Sequence, residues 1–185
     1  MKKTILTFGL ISSVVSSILM LATVLFLDRI GFDKALIVGY TAIVLSFLLV
    51  FFGIRSYRVN LGGGQISFGR ALSVGLLITL ISCVFYVVTW EIVYFKLMPD
   101  FAEKSTNYMM EQVRASGASR QAIDAKLQEM NSMKALYDNP LFNAAITFLE
   151  PFPIGLIISL ISAAILRRRK PKNRELVVGE PLPNS

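Results

Sequence analysis

An all-α fold, a four-helix transmembrane bundle with an outer two-helix hairpin in its third loop, is predicted by three observations. Of the 185 residues, 54% are hydrophobic and the mean hydropathy is +0.61, well above what a soluble domain of this size carries. The apolar residues gather in four runs, 5–27, 35–54, 71–95 and 144–166, each matching the ~20 residues with which a helix crosses a ~30 Å hydrocarbon core. Lys and Arg are shared unevenly among the segments that join these runs.

The first run follows Lys2 and Lys3, a basic start like that of a signal peptide. Its uninterrupted length exceeds a typical signal-peptide core, and Leu25-Phe26-Leu27-Asp28 offers no small-x-small cleavage pattern, so it reads as a retained span. Gly9, Ser13 and Ser17 recur every four residues here, as Gly155, Ser159 and Ala163 do in the fourth run. Such ridges let helix backbones approach closely in lipid. Packing within one chain is the expected use, with contact between copies the open alternative.

After the second run, Gly62-Gly63-Gly64 reads as a turn returning the chain to the membrane, its backbone free to take positive φ. The segment from Gly64 to Ala71 has the glycine spacing of a phosphate-binding loop. That motif requires Lys then Ser or Thr after its second Gly, where Arg70 and Ala71 stand, so nucleotide binding is not expected.

The third run closes on Trp90, Glu91 and Tyr94. The two aromatic residues suit the membrane–water boundary as interfacial anchors. Residues 96–142 then form the one sizeable polar segment. Ile123, Leu127, Met130 and Met133 recur at helical spacing, Ser119 can cap their start, and Asn139-Pro140 ends them. A weaker helical pattern covers 100–115, with Ser116-Gly117 as the turn between the two. Packing of the Leu and Met stripe on the hairpin or the bundle is expected, with a partner-docking groove as the alternative.

The fourth run contains FLEPFPIG, with Glu150 between apolar residues and Pro151 and Pro153 as helix breaks. Pro151 disfavours α conformation at the residue before it and suits the first turn of a helix, so the span can restart there with Glu150 as its cap near the interface. In the other reading, Glu91 and Glu150 lie at similar depth, face a water-filled outer cavity as an intramembrane carboxylate pair, and share a proton or cation.

The cations orient the chain. Lys2 and Lys3, the second loop with Arg55, Arg58 and Arg70, and the tail with Arg167, Arg168, Arg169, Lys170, Lys172 and Arg174 share one side if four helices cross. The positive-inside rule makes that side cytoplasmic. The third loop balances Lys96, Lys104, Arg114, Arg120, Lys126 and Lys134 against Asp100, Glu103, Glu111, Asp124, Glu129 and Asp138, which fits the outer side. Arg167, Arg168, Arg169 and Lys170 read as a basic anchor at the lipid headgroups. No reading module or interleaved aromatic accompanies them, so nucleic acid is not an expected partner. Residues 171–185, with Pro181 and Pro183, are expected to be a disordered cytoplasmic tail.

Chemistry is narrowed by omission. The sequence has no His and a single Cys, Cys83, which removes the commonest general base and metal ligand and any thiolate cage. No Asp lies within the four runs, so an aspartyl pair for hydrolysis in the bilayer is missing too. No enzyme activity, cofactor or metal is expected.

Two segments, ISFGRALSVGLLITLISCVFYVVTWEI at 66–92 and YDNPLFNAAITFLEPFPIGLIISLISAAIL at 137–166, resemble the bacterial membrane family known as domain of unknown function forty-one ninety-nine. The likeness runs from the short first loop to the basic tail. It implies four spans, a long outer loop and, through its association with the Bacteroidota lineage, the inner membrane; it implies no activity, ligand or catalytic residue. The leading expectation is a non-enzymatic membrane protein that binds a membrane-protein partner or assembles with its own copies. The alternative is a small proton- or cation-linked transporter or channel using Glu91 and Glu150.

Overall fold

The computed structural model describes residues 2–168. Arg169, Lys170 and the tail at 171–185, to which the sequence assigns anchoring and disorder, lie outside the described residues. The chain is all-helical. α1 (Lys2–Leu25), the short α2 (Leu27–Ile30), α3 (Phe32–Asn60) and α4 (Phe68–Ile92) come first, and α4 ends in a π turn (Val93–Leu97). α5 (Phe101–Ala115), α6 (Arg120–Tyr137), α7 (Pro140–Leu149) and α8 (Pro151–Leu166) complete it.

Among the described residues four stretches are long and apolar enough to cross a bilayer: Lys2–Leu25, Phe32–Asn60, Phe68–Leu97 and Pro140–Leu166. α7 and α8 together make the fourth. The second and third exceed their apolar runs at both ends and the fourth at its start, because a helix extends past the hydrocarbon through residues such as Arg58 and Lys96 whose long stems keep the charge in the headgroup zone.

α1, α3, α8 and α4 form a ring in which each neighbouring pair packs together, and α3 also meets α4 across the centre. The core is built as much from small polar side chains as from apolar ones. Ile54, Ile78, Val50 and Val74 are fully buried, and so are Ser12, Thr79 and Ser159. Large residues such as Ile18, Leu45, Val84 and Ile165 face outward. That inversion follows from the solvent: lipid accepts Leu and Ile readily, so close helix contact is gained with small residues and hydroxyls that satisfy each other.

The small-residue ridges are used inside the chain. A Cβ on Gly9 would lie 3.0 Å from Ile81, and one on Gly155 would collide with Thr79. Ser12 donates to the Ser46 carbonyl at 3.0 Å, Ser17 and Thr89 share a hydrogen bond of 2.8 Å, and Thr79 and Ser159 one of 3.2 Å.

At the end holding Lys2 and Arg167, the glycine turn takes positive φ at Gly63 and Gly64. Gly62 is needed for another reason: a Cβ there would collide with the Gln65 carbonyl. Ser67 caps α4 by accepting from the Arg70 N–H. Ile66 and Arg168 exchange backbone hydrogen bonds at 3.1 and 3.0 Å, and Arg58 donates to the Leu166 carbonyl at 3.3 Å. These contacts clasp the loop to the end of α8.

At the opposite end, α5 and α6 meet through a turn with Gly117 at φ +75°. Ser119 caps α6 and accepts from Ala122 N–H at 3.3 Å, and Asn139 caps α7 by accepting from Leu141 and Phe142, with Pro140 in the first helical turn. α5 docks on the bundle through Tyr108 stacked on Phe32, with ring centroids 5.1 Å apart, and through buried Met110. The stripe on α6 does not pack as the spacing suggests. α6 buries none of its residues, and Leu127 and Met133 are 39% and 41% exposed. The helix follows α5 but leaves one flank without a neighbour, so its apolar stripe is only partly covered at Ile123 and Met130.

Candidate functional site

The site forms where α4 faces α7 and the α7–α8 break. Tyr86, Trp90 and Tyr94 stand four residues apart on one flank of α4 and its π turn, and each carries a polar tip that needs a partner once buried. Tyr86 donates to Glu150 Oε2 at 3.4 Å, Trp90 Nε1 to Asn143 Oδ1 at 3.0 Å, and Tyr94 to Asp138 Oδ1 at 3.2 Å. Three partners, one before α7, one within it and one just after it, are thereby met by one helical face. Asn143 is fully buried; its oxygen also accepts from Thr147 at 3.1 Å, and its amide donates to the Tyr137 carbonyl at 3.1 Å. Asp138 bridges to Lys134 at 2.8 Å, and this ammonium holds its carboxyl below the usual carboxylate range.

Between this seam and α1 and α3 lies a cavity of about 170 Å³. Met20, Val24, Leu36 and Ile43 give it apolar walls, Phe32, Trp90 and Phe101 close it toward α5, and Tyr40, Tyr86 and Glu150, with the hydroxyls of Ser16 and Thr23, supply its polar groups. Trp90 and Phe101 meet edge to face at 5.1 Å, which fixes that roof. Leu36 and Tyr40 are 64% and 48% exposed, and Glu150 is exposed as well. The cavity therefore opens through the side of the bundle, between α3 and the α7–α8 break. Beneath it a void of about 10 Å³ is lined by Ser12, Ser16, Ser46 and Ser82, near the size that admits one water.

Glu150 itself differs from its sequence reading. Its backbone is right-handed α, φ −72° and ψ −58°, and its side chain makes no capping hydrogen bond. Pro151 removes the N–H that would reach the Thr147 carbonyl, and Pro153 the one that would reach Leu149, so the helix is interrupted here and α8 starts at Pro151. Ten residues of α7 precede Glu150, about 15 Å of rise, so it lies within the fourth span and not at its edge.

Glu91 goes elsewhere. It does not line this cavity, no hydrogen bond joins it to Glu150 among the described residues, and its Oε1 is enclosed without a partner. Glu150 bonds Tyr86, five residues and about 7 Å of rise inward from Glu91. The apolar runs, ending at 95 and beginning at 144, put the two carboxylates at similar depth, whereas the helices run on to Leu97 and begin at Pro140. Trp90 and Tyr94 also turn inward: Tyr94 is 6% exposed, and Trp90 packs between Asn143 and Phe101. Arg167 and Arg168 stand at the end of α8, with the Arg168 backbone bridged to Ile66.

Fold and site define a multi-pass helical membrane protein with a carboxylate-bearing cavity opening in the side of its bundle. A family model described as protein of unknown function (DUF4199) matches residues 7–168, and the chain belongs to that family. No curated protein and no solved structure matches it.

The residues that sequence reasoning missed are Tyr86 and Asn143. The spacing of Tyr86, Trp90 and Tyr94 at intervals of four was the available signal, since three polar-tipped aromatic residues on one helical face ask for a polar strip opposite.

Proposed function

We propose that this protein is a non-enzymatic component of a bacterial inner membrane that works by binding a membrane-protein partner, with both termini in the cytoplasm. The observation that carries this reading is α6, an eighteen-residue helix with no buried residue that keeps Leu127, Met133 and Leu136 at its surface. The other candidate contact surface, the ridges of small residues in the spans, is occupied within the chain at Gly9 and Gly155. The segment 96–142 has balanced charge, so apolar contact and not electrostatic steering selects the partner. The occupant that fits is a second membrane protein presenting an apolar helix on the outer side.

Purification in mild detergent tests this. The parent should retain a stoichiometric partner, and Leu127→Asp should lose it while eluting as a folded chain. A parent that purifies alone overturns the reading, and a complex made only of this chain assigns the surface to a second copy.

Orientation has its own test. Reporter fusions after Lys3, Gly63 and Arg174 should read cytoplasmic and those near Gly31 and Gly117 external, because 11 Lys and Arg stand on the proposed cytoplasmic side and 8 on the other. An external signal at Gly63 contradicts the orientation. A cation-linked activity is the second reading, favoured by Glu150 at the cavity wall, although Glu91 takes no part there.

A further inference from the structure

We infer that the lateral cavity binds a small organic ammonium ion, held by the Glu150 carboxylate inside an aromatic enclosure of Phe32, Tyr40, Tyr86, Trp90 and Phe101. Among the described residues the carboxylate accepts one hydrogen bond, from Tyr86 at 3.4 Å, near the limit of such a bond, and a carboxylate has about four acceptor sites. No Lys or Arg pairs with it among the described residues, whose ion pairs all lie in α5, α6 and the approach to α7. An ionised carboxylate within a span is costly and is stabilised by an opposite charge, and this one faces a space large enough to admit a cation.

The walls select the kind of cation. Aromatic rings attract positive charge through their quadrupoles, and the attraction strengthens when the ion is desolvated. A hard metal cation needs about six or more oxygen ligands, which a single carboxylate, two phenols and the Ser16 and Thr23 hydroxyls, both donating to backbone carbonyls of their own helix, do not supply. An alkylated ammonium needs only the carboxylate for its charge and apolar walls for its carbon. An anion is repelled by Glu150. The volume of about 170 Å³ compares with the ~150 Å³ engineered cavity that takes benzene, so the headgroup fits, and a longer chain can leave through the side opening into lipid. This inference does not rest on α6; either can fail without the other.

The protein supplies its own reporter, since Trp90 is its single tryptophan and lines the cavity. The purified full chain in a non-ionic detergent is titrated with butyltrimethylammonium and, separately, with its uncharged carbon isostere. A saturable change in Trp90 emission is expected for the cation, with the isostere at least about tenfold weaker. Glu150→Gln should weaken cation binding about tenfold or more, while Glu91→Gln should leave it unchanged. Equal affinity for cation and isostere overturns the inference, as does a Glu150→Gln titration that superimposes on the parent. If that variant fails to fold, the comparison of cation with isostere on the parent decides alone.

Discussion

Gly155→Val is expected to lower the midpoint of thermal unfolding by about 6–12 °C. Gly155 sits where α8 crosses α3 and α4. A Cβ there would collide with Thr79 Cγ2 and lie 3.1 Å from both Phe47 Cζ and Thr79 Oγ1. Neither neighbour can retreat, because Thr79 is fully buried and Phe47 is 3% exposed. Overpacking of a filled core costs about 1–3 kcal/mol, and the three carbons of Val place this site at the upper end. For a chain of this length, each kcal/mol moves the midpoint by about 2–4 °C. The lost hydrogen bond from Thr79 to the Gly155 carbonyl, 3.5 Å long, adds little. Ile157→Val serves as the control two residues along the same helix: Ile157 is 55% exposed, and its truncation should stay within about 0.5 kcal/mol. Heating in mild detergent followed by size-exclusion of the surviving monodisperse protein reads both. A Gly155→Val midpoint within about 2 °C of the control would show that α8 does not cross where the structure seats it.

The same glycine shows what was legible. Hydropathy locates spans because lipid tolerates nothing else, and the recurrence of Gly155, Ser159 and Ala163 marked the inner face of the fourth correctly: all three are buried. Apolar periodicity could not have done so. In a membrane bundle the bulky apolar side chains point outward, as Ile157, Ile161 and Ile165 do, so the pattern that finds the core of a soluble helix finds the lipid here. Span ends were less legible, since α3 runs on through Arg55 and Arg58 to Asn60. In the polar segment, local chemistry placed Ser119 at the start of α6 and Asn139-Pro140 at its end, where Asn139 also caps α7. The docking of Phe101 and Tyr108 on Phe32 depends on residues far apart in the chain, and no local rule reaches it.

The candidate site was legible by its anomaly and not by its partners. A carboxylate followed by two prolines inside an apolar run identified Glu150 as unusual. The proline rule placed the start of α8 at Pro151 correctly but not the conformation of Glu150, because the preference against α conformation before Pro151 is weaker than the packing that keeps α7 and α8 in one span. Pairing it with Glu91 followed from counting depth along two separate helices, where an error of a few residues at each end decides which groups meet. Tyr86 is the partner, and it is fixed by the face of α4 that α7 happens to meet.

Asn143→Ala should destabilise the protein by about 2–4 kcal/mol, and in a way that names its partner. A side-chain hydrogen bond within a membrane bundle is worth about 0.6 kcal/mol on average, so the bonds to Trp90, Thr147 and the Tyr137 carbonyl account for about half of that. The remainder comes from stranding the indole N–H and the Tyr137 carbonyl beside a residue of 0% exposure, since a polar group left unpaired loses more than the bond was worth. Trp90→Phe removes the indole donor while keeping a ring beside Phe101. In that background Asn143→Ala should cost about 1 kcal/mol less than in the parent, because no indole N–H remains to be stranded, while the losses at Thr147 and Tyr137 persist. The four proteins are compared by their unfolding midpoints under identical detergent conditions. Strict additivity would mean that Trp90 and Asn143 are neighbours without a bond, and α7 would then be held to α4 by ring packing and by the Tyr86 and Tyr94 contacts alone.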